Sequence, residues 1–353
     1  MGDVMTATRR EFLAACAAAL PAPLLAADDR RDAGPTGMGI VIHSYGLRRA
    51  DKESHFDDPL TFLDYCHALG AGGVQTALGN RDEAYCAKLR ARAEEHRMYL
   101  EGSVRLPRDK ADVERFTGEV RTAKECGAAV VRTVQIDGRR YEVFDSAAAF
   151  RKAMEQARQS LLLAKPVVER HGIKLAVENH KDLEAKALVE LLKAIDSPNV
   201  GACVDTGNSL ALLEPPLETA ETLAPYAFST HLKDLGVEEY ADGFLMAEVP
   251  LGAGFLDLPR VIEVLRKAKP APRLNLEMIT RDPLKIPVLT DKYWTTLEHV
   301  PGRRLAEALA LVRKHAARKP LPRVSGLPRE EQVKREDENV RESLRFAKEK
   351  LGL

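Results

Sequence analysis

From residue 38 onward, short runs of apolar and β-branched residues alternate with longer stretches in which apolar positions recur every three or four residues. The short runs lie at 39–43, 73–76, 98–103, 129–135, 174–179, 200–205, 227–231 and 273–278, and read as eight strands. Helical spacing falls at 60–69, 83–95, 113–126, 148–171, 183–195 and 258–268. Gly70, Gly127 and Gly172 each end a helical run and precede a strand, as C-terminal caps do, and Ser197-Pro198-Asn199 breaks a helix before Val200. Alternation of this kind joins parallel strands through helical crossovers. Eight such units over about 250 residues predict an α/β fold, a (β/α)8 TIM barrel, rather than a doubly wound sheet. No G-x-G-x-x-G follows the first strand, which runs instead into His43-Ser44-Tyr45-Gly46 and makes no phosphate cradle. Beyond the eighth strand the pattern gives a structured loop at 283–294 and a closing helix at 303–316. A highly charged helix at 329–351 follows, expected to pack across the barrel or against another subunit.

The first 27 residues differ in kind. Thr8-Arg9-Arg10-Glu11-Phe12-Leu13 leads into an Ala-rich apolar run to Ala27, then Asp28-Asp29-Arg30-Arg31. The segment resembles a twin-arginine signal peptide with cleavage near Ala26 or Ala27. That resemblance implies export of a folded, cofactor-loaded protein to a periplasmic or extracytoplasmic compartment; the competing reading is an amphipathic N-terminal helix. The run is too short for a stable membrane anchor, and no later segment reaches the ~18 apolar residues of a membrane helix. The expected organisation is therefore a signal peptide at 1–27, a catalytic barrel at 38–315 and a charged helical extension at 316–353.

Composition narrows the class. With 53 basic and 53 acidic residues and 45% hydrophobic content, the chain has neither the charge footprint of a nucleic-acid binder nor the profile of a disordered protein. Cys66, Cys86, Cys126 and Cys203 show no C-x-x-C spacing and are expected to serve as small buried hydrophobes.

The candidate chemistry sits where strands five to eight end: Val177-Glu178-Asn179-His180, Val204-Asp205-Thr206-Gly207-Asn208, Thr230-His231-Leu232-Lys233-Asp234 and Leu276-Glu277-Met278. All strand C-termini of such a barrel open on one face, so Glu178, Asp205, His231 and Glu277 should converge. The 46-residue step from His231 to Glu277, against 27 and 26 for the preceding two, points to a Gly-rich insertion at 236–255 on that face. Any one of these carboxylates could be a helix cap or an ion-pair partner, and 205–208 could be a plain turn. Together, three carboxylates and an imidazole compose a site for one divalent ion, with Mn²⁺, Mg²⁺ or Co²⁺ suited better than a thiolate-bound structural zinc.

These strand ends, with Pro250-Leu251-Gly252-Ala253-Gly254-Phe255-Leu256-Asp257, resemble the xylose isomerase-like TIM-barrel superfamily, and within it the sugar phosphate isomerase/epimerase group. The resemblance implies one metal ion, Mn²⁺ first and Zn²⁺ also admissible, held by Glu178, Asp205, His231 and Glu277. It makes Glu178 and Glu277 the catalytic acid/base pair, and His180, Asn208 and Lys233 are expected to touch substrate or orient the ligands. The implied reaction is isomerisation or epimerisation of a keto-sugar or related polyol by α-proton abstraction and an enediolate. A dehydratase or lyase acting on an inosose or 3-keto-glycoside would use the same site. Several ketose epimerases of the group carry His where Asn208 stands, so substrate contacts there should differ. Related epimerases often carry Arg where Glu248 stands, which argues against a phosphate, and an exported protein would meet unphosphorylated sugars, cyclitols or glycosides. An endonuclease IV-like nuclease would need further His ligands, and a non-catalytic sugar-binding barrel would not need both glutamates. A homodimer or homotetramer is implied by the resemblance alone.

Overall fold

The computed structural model describes residues 37–353. The signal-peptide reading at 1–27 lies outside the described residues. Among the described residues eleven strands form: β1 (Gly39–Val41), β2 (Gly73–Thr76), β3 (Tyr99–Ser103), β4 (Val130–Thr133), β5 (Lys174–Glu178), β6 (Val200–Asp205), β7 (Ala227–His231), β8 (Asp234–Tyr240), β9 (Gly243–Val249), β10 (Asn275–Leu276) and β11 (Leu284–Ile286). Eight of them make one sheet in the order β10-β1-β2-β3-β4-β5-β6-β7, with every named pairing parallel. Single parallel bridges, Ser229 to Arg273 and Leu232 to Leu276, connect the last strand back to β10 and bring the ring close to closure. This is the expected (β/α)8 barrel. Its strands are buried on both faces, which is why they read as continuous apolar runs rather than alternating ones.

Local chemistry sets the helix limits. Asp58, Asp82, Ser146 and Asp257 each accept a backbone N–H three residues on, capping Pro59–Ala68, Glu83–His96, Ala147–His171 and Leu258–Arg266. Gly172 takes a left-handed conformation at φ 59° and closes the 25-residue helix before β5. The helices Gly46–Ala50, Arg140–Val143 and Pro216–Leu223 escape the periodicity reading because eight residues or fewer are too few to establish a repeat. Among the described residues, Cys66, Cys86, Cys126 and Cys203 are free and buried.

One expectation gains detail and another needs correction. The insertion at 236–255 is largely a hairpin, β8 against β9, and the loop expected at 283–294 supplies β11, which pairs antiparallel with β9, and a helical turn, Asp291–Trp294. β11 was hidden because its partner strand lies elsewhere in the chain and its three residues are too few to alternate, and β9 because it is buried along its whole length and shows no alternation. The terminal helix, Arg329–Leu351, agrees with the expected bounds and packs on the barrel's own loops. Its buried Glu336 accepts the N–H groups of Leu47 and Arg48 at 2.6 and 2.9 Å, and Asn339 donates to Thr280 at 2.9 Å. Asp337 accepts the hydroxyls of Tyr45 and Tyr65. No helix among the described residues is long and apolar enough to cross a membrane.

Candidate metal centre

The ends of β5, β6 and β7 and the residue after β10 bring Glu178, Asp205, His231 and Glu277 together as the strand phase requires. One ligand atom from each lies within 4.8 Å of all the others, and all four residues are buried; among the described residues this is the one such group. His231 Nδ1 stands 3.3 Å from Glu178 Oε2, 3.4 Å from Glu277 Oε1 and 3.9 Å from Asp205 Oδ2.

The surrounding bonds leave two lone pairs aimed inward. Asp205 Oδ1 accepts the N–H groups of Gly207 and Asn208 at 2.9 and 2.8 Å, while Oδ2 accepts no well-formed hydrogen bond and has only the Lys233 ammonium, 3.0 Å away, as an ion-pair partner. His231 Nδ1 likewise has no hydrogen-bond partner, and its Nε2 lies 2.8 Å from Gln75 Oε1. Buried polar atoms are rarely left so, and an acceptor pair beside two more carboxylates fits a divalent cation drawing on oxygen and imidazole ligands. The donor set therefore suits the expected ion.

Electrostatics keep the glutamates ionised. Burial alone would raise Glu178, but the Arg132 guanidinium and His231 override it and hold the carboxyl well below its usual range. Glu277 is depressed in the same way: burial opposes, while His231 and Lys233 prevail. Burial raises Asp205, against the pull of Lys233. Burial also disfavours an imidazolium at His231, yet Cys203, Glu277 and Glu178 push its pKa well above the ordinary value, which marks the cage as a place that favours positive charge.

Lys233 Nζ lies 2.7 Å from Glu277 Oε2, 3.0 Å from Asp205 Oδ2 and 3.4 Å from Asn208 Oδ1, and Asn208 donates to Glu178 Oε1 at 3.1 Å. Both expected neighbours are thus in the cluster. His180 borders the same opening with an unpartnered Nδ1, and burial lowers its pKa to about 3, so the ring is neutral. The opening is a cavity of about 380 Å³ lined by both glutamates, His43, Arg132, Lys181, Lys233 and Arg281.

Four of these were not singled out from the sequence. Arg132 lies inside β4 and donates to Glu178 Oε2 from Nε at 2.6 Å; a charged residue within an apolar strand was the available signal. His43, just after β1, contacts Glu277 Oε1 at 3.0 Å. Arg281 pairs with Glu248 on β9 at 2.6 Å, which explains Glu248 as its counter-charge; no local pattern links residues 33 apart. Lys181 reaches Asn208 Oδ1.

The glycine motif has a structural cause. The Asp234 carboxylate accepts N–H groups from Gly252, Gly254 and Leu256 at 2.9 to 3.1 Å, folding this loop back beside Lys233. A Cβ at Gly254 would lie 2.1 Å from Asp234 Oδ1 and 2.6 Å from the Leu235 nitrogen, so only glycine allows the approach.

Comparison with known proteins agrees with this architecture. The chain is 29% identical over 236 residues to the 3-oxo-isoapionate decarboxylase of Pectobacterium atrosepticum, covering 65% of this chain and 80% of that protein. Among solved structures it resembles the D-psicose 3-epimerase of Clostridium cellulolyticum H10, with TM-score 0.53 at 14% identity, covering 79% and 98% of the two chains. It also resembles the probable 3-DHS dehydratase AsbF of Bacillus anthracis, with TM-score 0.52 at 14% identity, covering 68% and 92%. At such identities the structural likeness speaks to the fold alone. The family described as xylose isomerase-like TIM barrel matches residues 63–315, and this chain belongs to it.

Proposed function

We propose that this protein is a metal-dependent enzyme that isomerises or epimerises an unphosphorylated keto-sugar or related polyol by moving a proton next to a ketone. The observation that carries the reading is the convergence of four buried ligand atoms within 4.8 Å beside a cavity that both Glu178 and Glu277 line. A divalent ion held by Glu178, Asp205, His231 and Glu277 would polarise a ketone oxygen as a Lewis acid and stabilise negative charge there.

The chain's own groups then account for the proton. One ionised glutamate takes the proton from the carbon α to the ketone; isomerisation follows when that same carboxyl returns it to the adjacent carbon, and epimerisation when the other glutamate, entering the cycle protonated, delivers one to the opposite face. Lys233 and Arg132 sit close enough to orient these carboxylates. Where the returned proton lands separates epimerase from isomerase. A dehydratase or lyase reading on an inosose or 3-keto-glycoside follows if a leaving oxygen lies β to the ketone, since the same enediolate expels it.

A second reading is favoured by the decarboxylase relative. Loss of CO₂ from a 3-oxo acid sends the electron pair of the broken carbon–carbon bond to the ketone oxygen, giving the same kind of enolate. A proton delivered to carbon completes the balance.

The test is hydrogen–deuterium exchange in D₂O followed by NMR, with Mn²⁺-loaded protein and a panel of ketoses, inososes and 3-keto-glycosides. Metal-dependent exchange at a carbon α to the ketone, lost in Glu277→Gln with metal content measured in parallel, is the expected result. Absence of exchange with every member of the panel, despite stoichiometric metal, would overturn the reading.

A further inference from the structure

Lys181 stands out among the charged groups of the cavity. Its residue is 3% exposed, and its backbone takes φ 134°, a conformation that side-chain-bearing residues rarely adopt. The main chain is pinned there by the Arg140 N–H, which donates to the Lys181 carbonyl oxygen at 3.0 Å. Every neighbouring cation has a carboxylate: Arg132 has Glu178, Lys233 has Asp205 and Glu277, and Arg281 has Glu248. The Lys181 ammonium has only a neutral acceptor, Asn208 Oδ1, which it shares with the Lys233 ammonium. A buried ammonium without a counter-ion is costly, and a strained backbone that delivers it into a cavity points to a ligand that supplies one.

The charge balance of the site leads to the same place. Glu178, Asp205, Glu277 and Glu248 match Arg132, Lys181, Lys233 and Arg281 one for one. A divalent ion would therefore leave the site with an excess of two positive charges. It would also draw on Asp205 and Glu277, the carboxylates that now compensate Lys233. Burial and the Lys233 charge depress the Lys181 pKa to about 8, the behaviour of an ammonium that lacks an anion.

Resting on the metal-centred reading above, we infer that the substrate is an acid, a keto-sugar acid whose carboxylate is bound by Lys181 beside the metal cluster. One of the two excess charges is left for the negative charge that develops on the ketone oxygen, and a single ammonium, with the Glu248 carboxylate also in its surroundings, suits a monoanionic carboxylate better than a dianionic phosphate. The assignment gives Lys181 a specificity role that the fold alone does not require.

Calorimetric titration with two unreactive polyols of equal length, D-xylonate and xylitol, separates charge recognition from chemistry. It is run on metal-free and on Mg²⁺-loaded protein. The wild type should bind xylonate roughly tenfold or more tightly than xylitol. Lys181→Met should lose that preference while Lys181→Arg retains much of it, and Lys181→Gln serves if the methionine packs poorly. Without ligand, Lys181→Met should melt at a higher temperature than the wild type, because an unpaired buried charge is gone. Equal affinity of the wild type for the two polyols, an undiminished preference in the Met and Gln variants, or tighter binding of xylitol 5-phosphate than of xylonate would each overturn the inference. The exchange experiment reports separately. Proton exchange without a xylonate preference sinks the acid substrate and leaves the proposed reaction standing, whereas a Lys181-dependent preference without exchange does the reverse.

Discussion

His231 shows how a single side chain is prepared from below. Buried Glu101 accepts hydrogen bonds from Ser229 at 2.5 Å, Gln75 at 2.9 Å and Asn275 at 3.0 Å. With its amide nitrogen committed to Glu101, Gln75 can turn only its oxygen to His231, so Nε2 carries a proton and Nδ1 is the atom offered to the cluster. Replacing Gln75 by Leu removes that orienting acceptor. Metal affinity, read by calorimetry, should weaken about 10- to 100-fold while the protein remains folded; unchanged affinity would show that packing alone orients the ring. His231 was legible in the sequence because it ends an apolar strand. Gln75 was not, since a polar residue in a four-residue strand carries no local mark of which residue it will face.

At the scale of elements, the terminal helix is attached through a buried carboxyl as well as through Val340, Leu344 and Ala347. Burial outweighs the two N–H donors and lifts the Glu336 pKa from its ordinary 4.5 to about 7. A carboxyl that holds its proton more firmly when folded contributes stability that is full below its unfolded pKa and is lost as pH rises through the folded one. Stability should therefore fall between about pH 4.5 and pH 7, and Glu336→Gln should flatten that slope. Denaturant titrations at pH 5 and pH 8 provide the comparison, and parallel losses in the two proteins would rule the contribution out. The helix itself was legible from its charge pattern and length. Its resting place was not, because the groups it meets, the N–H donors of residues 47 and 48, belong to a turn nearly 290 positions away.

For the molecule as a whole, ligands drawn from four sectors of the ring make the ion a staple of the folded state only, since an unfolded chain does not bring these groups together. At a hundredfold excess over its dissociation constant, an ion binding only the native state adds about 2.7 kcal/mol, about 4 °C in melting temperature for a domain of this size. Mn²⁺ should therefore raise the Tm, and Asp205→Ala should abolish that rise whatever it does to the metal-free protein. An equal metal-induced shift in the variant would place the ion elsewhere.

The sequence by itself determined the strand and helix alternation, and with it the barrel, because burial on both faces writes strands as apolar runs and crossovers as helical periods. It also marked Glu178, Asp205, His231 and Glu277, since each is an ionisable residue closing such a run and the barrel opens every run on one face. Only the tertiary structure decided which further charges join them. Arg132, His43, Lys181 and Arg281 reach the cavity from separate elements, and β11 completes a hairpin that ends 35 residues before it begins. Such meetings depend on where strands close in space, and closure leaves no period or spacing in the chain.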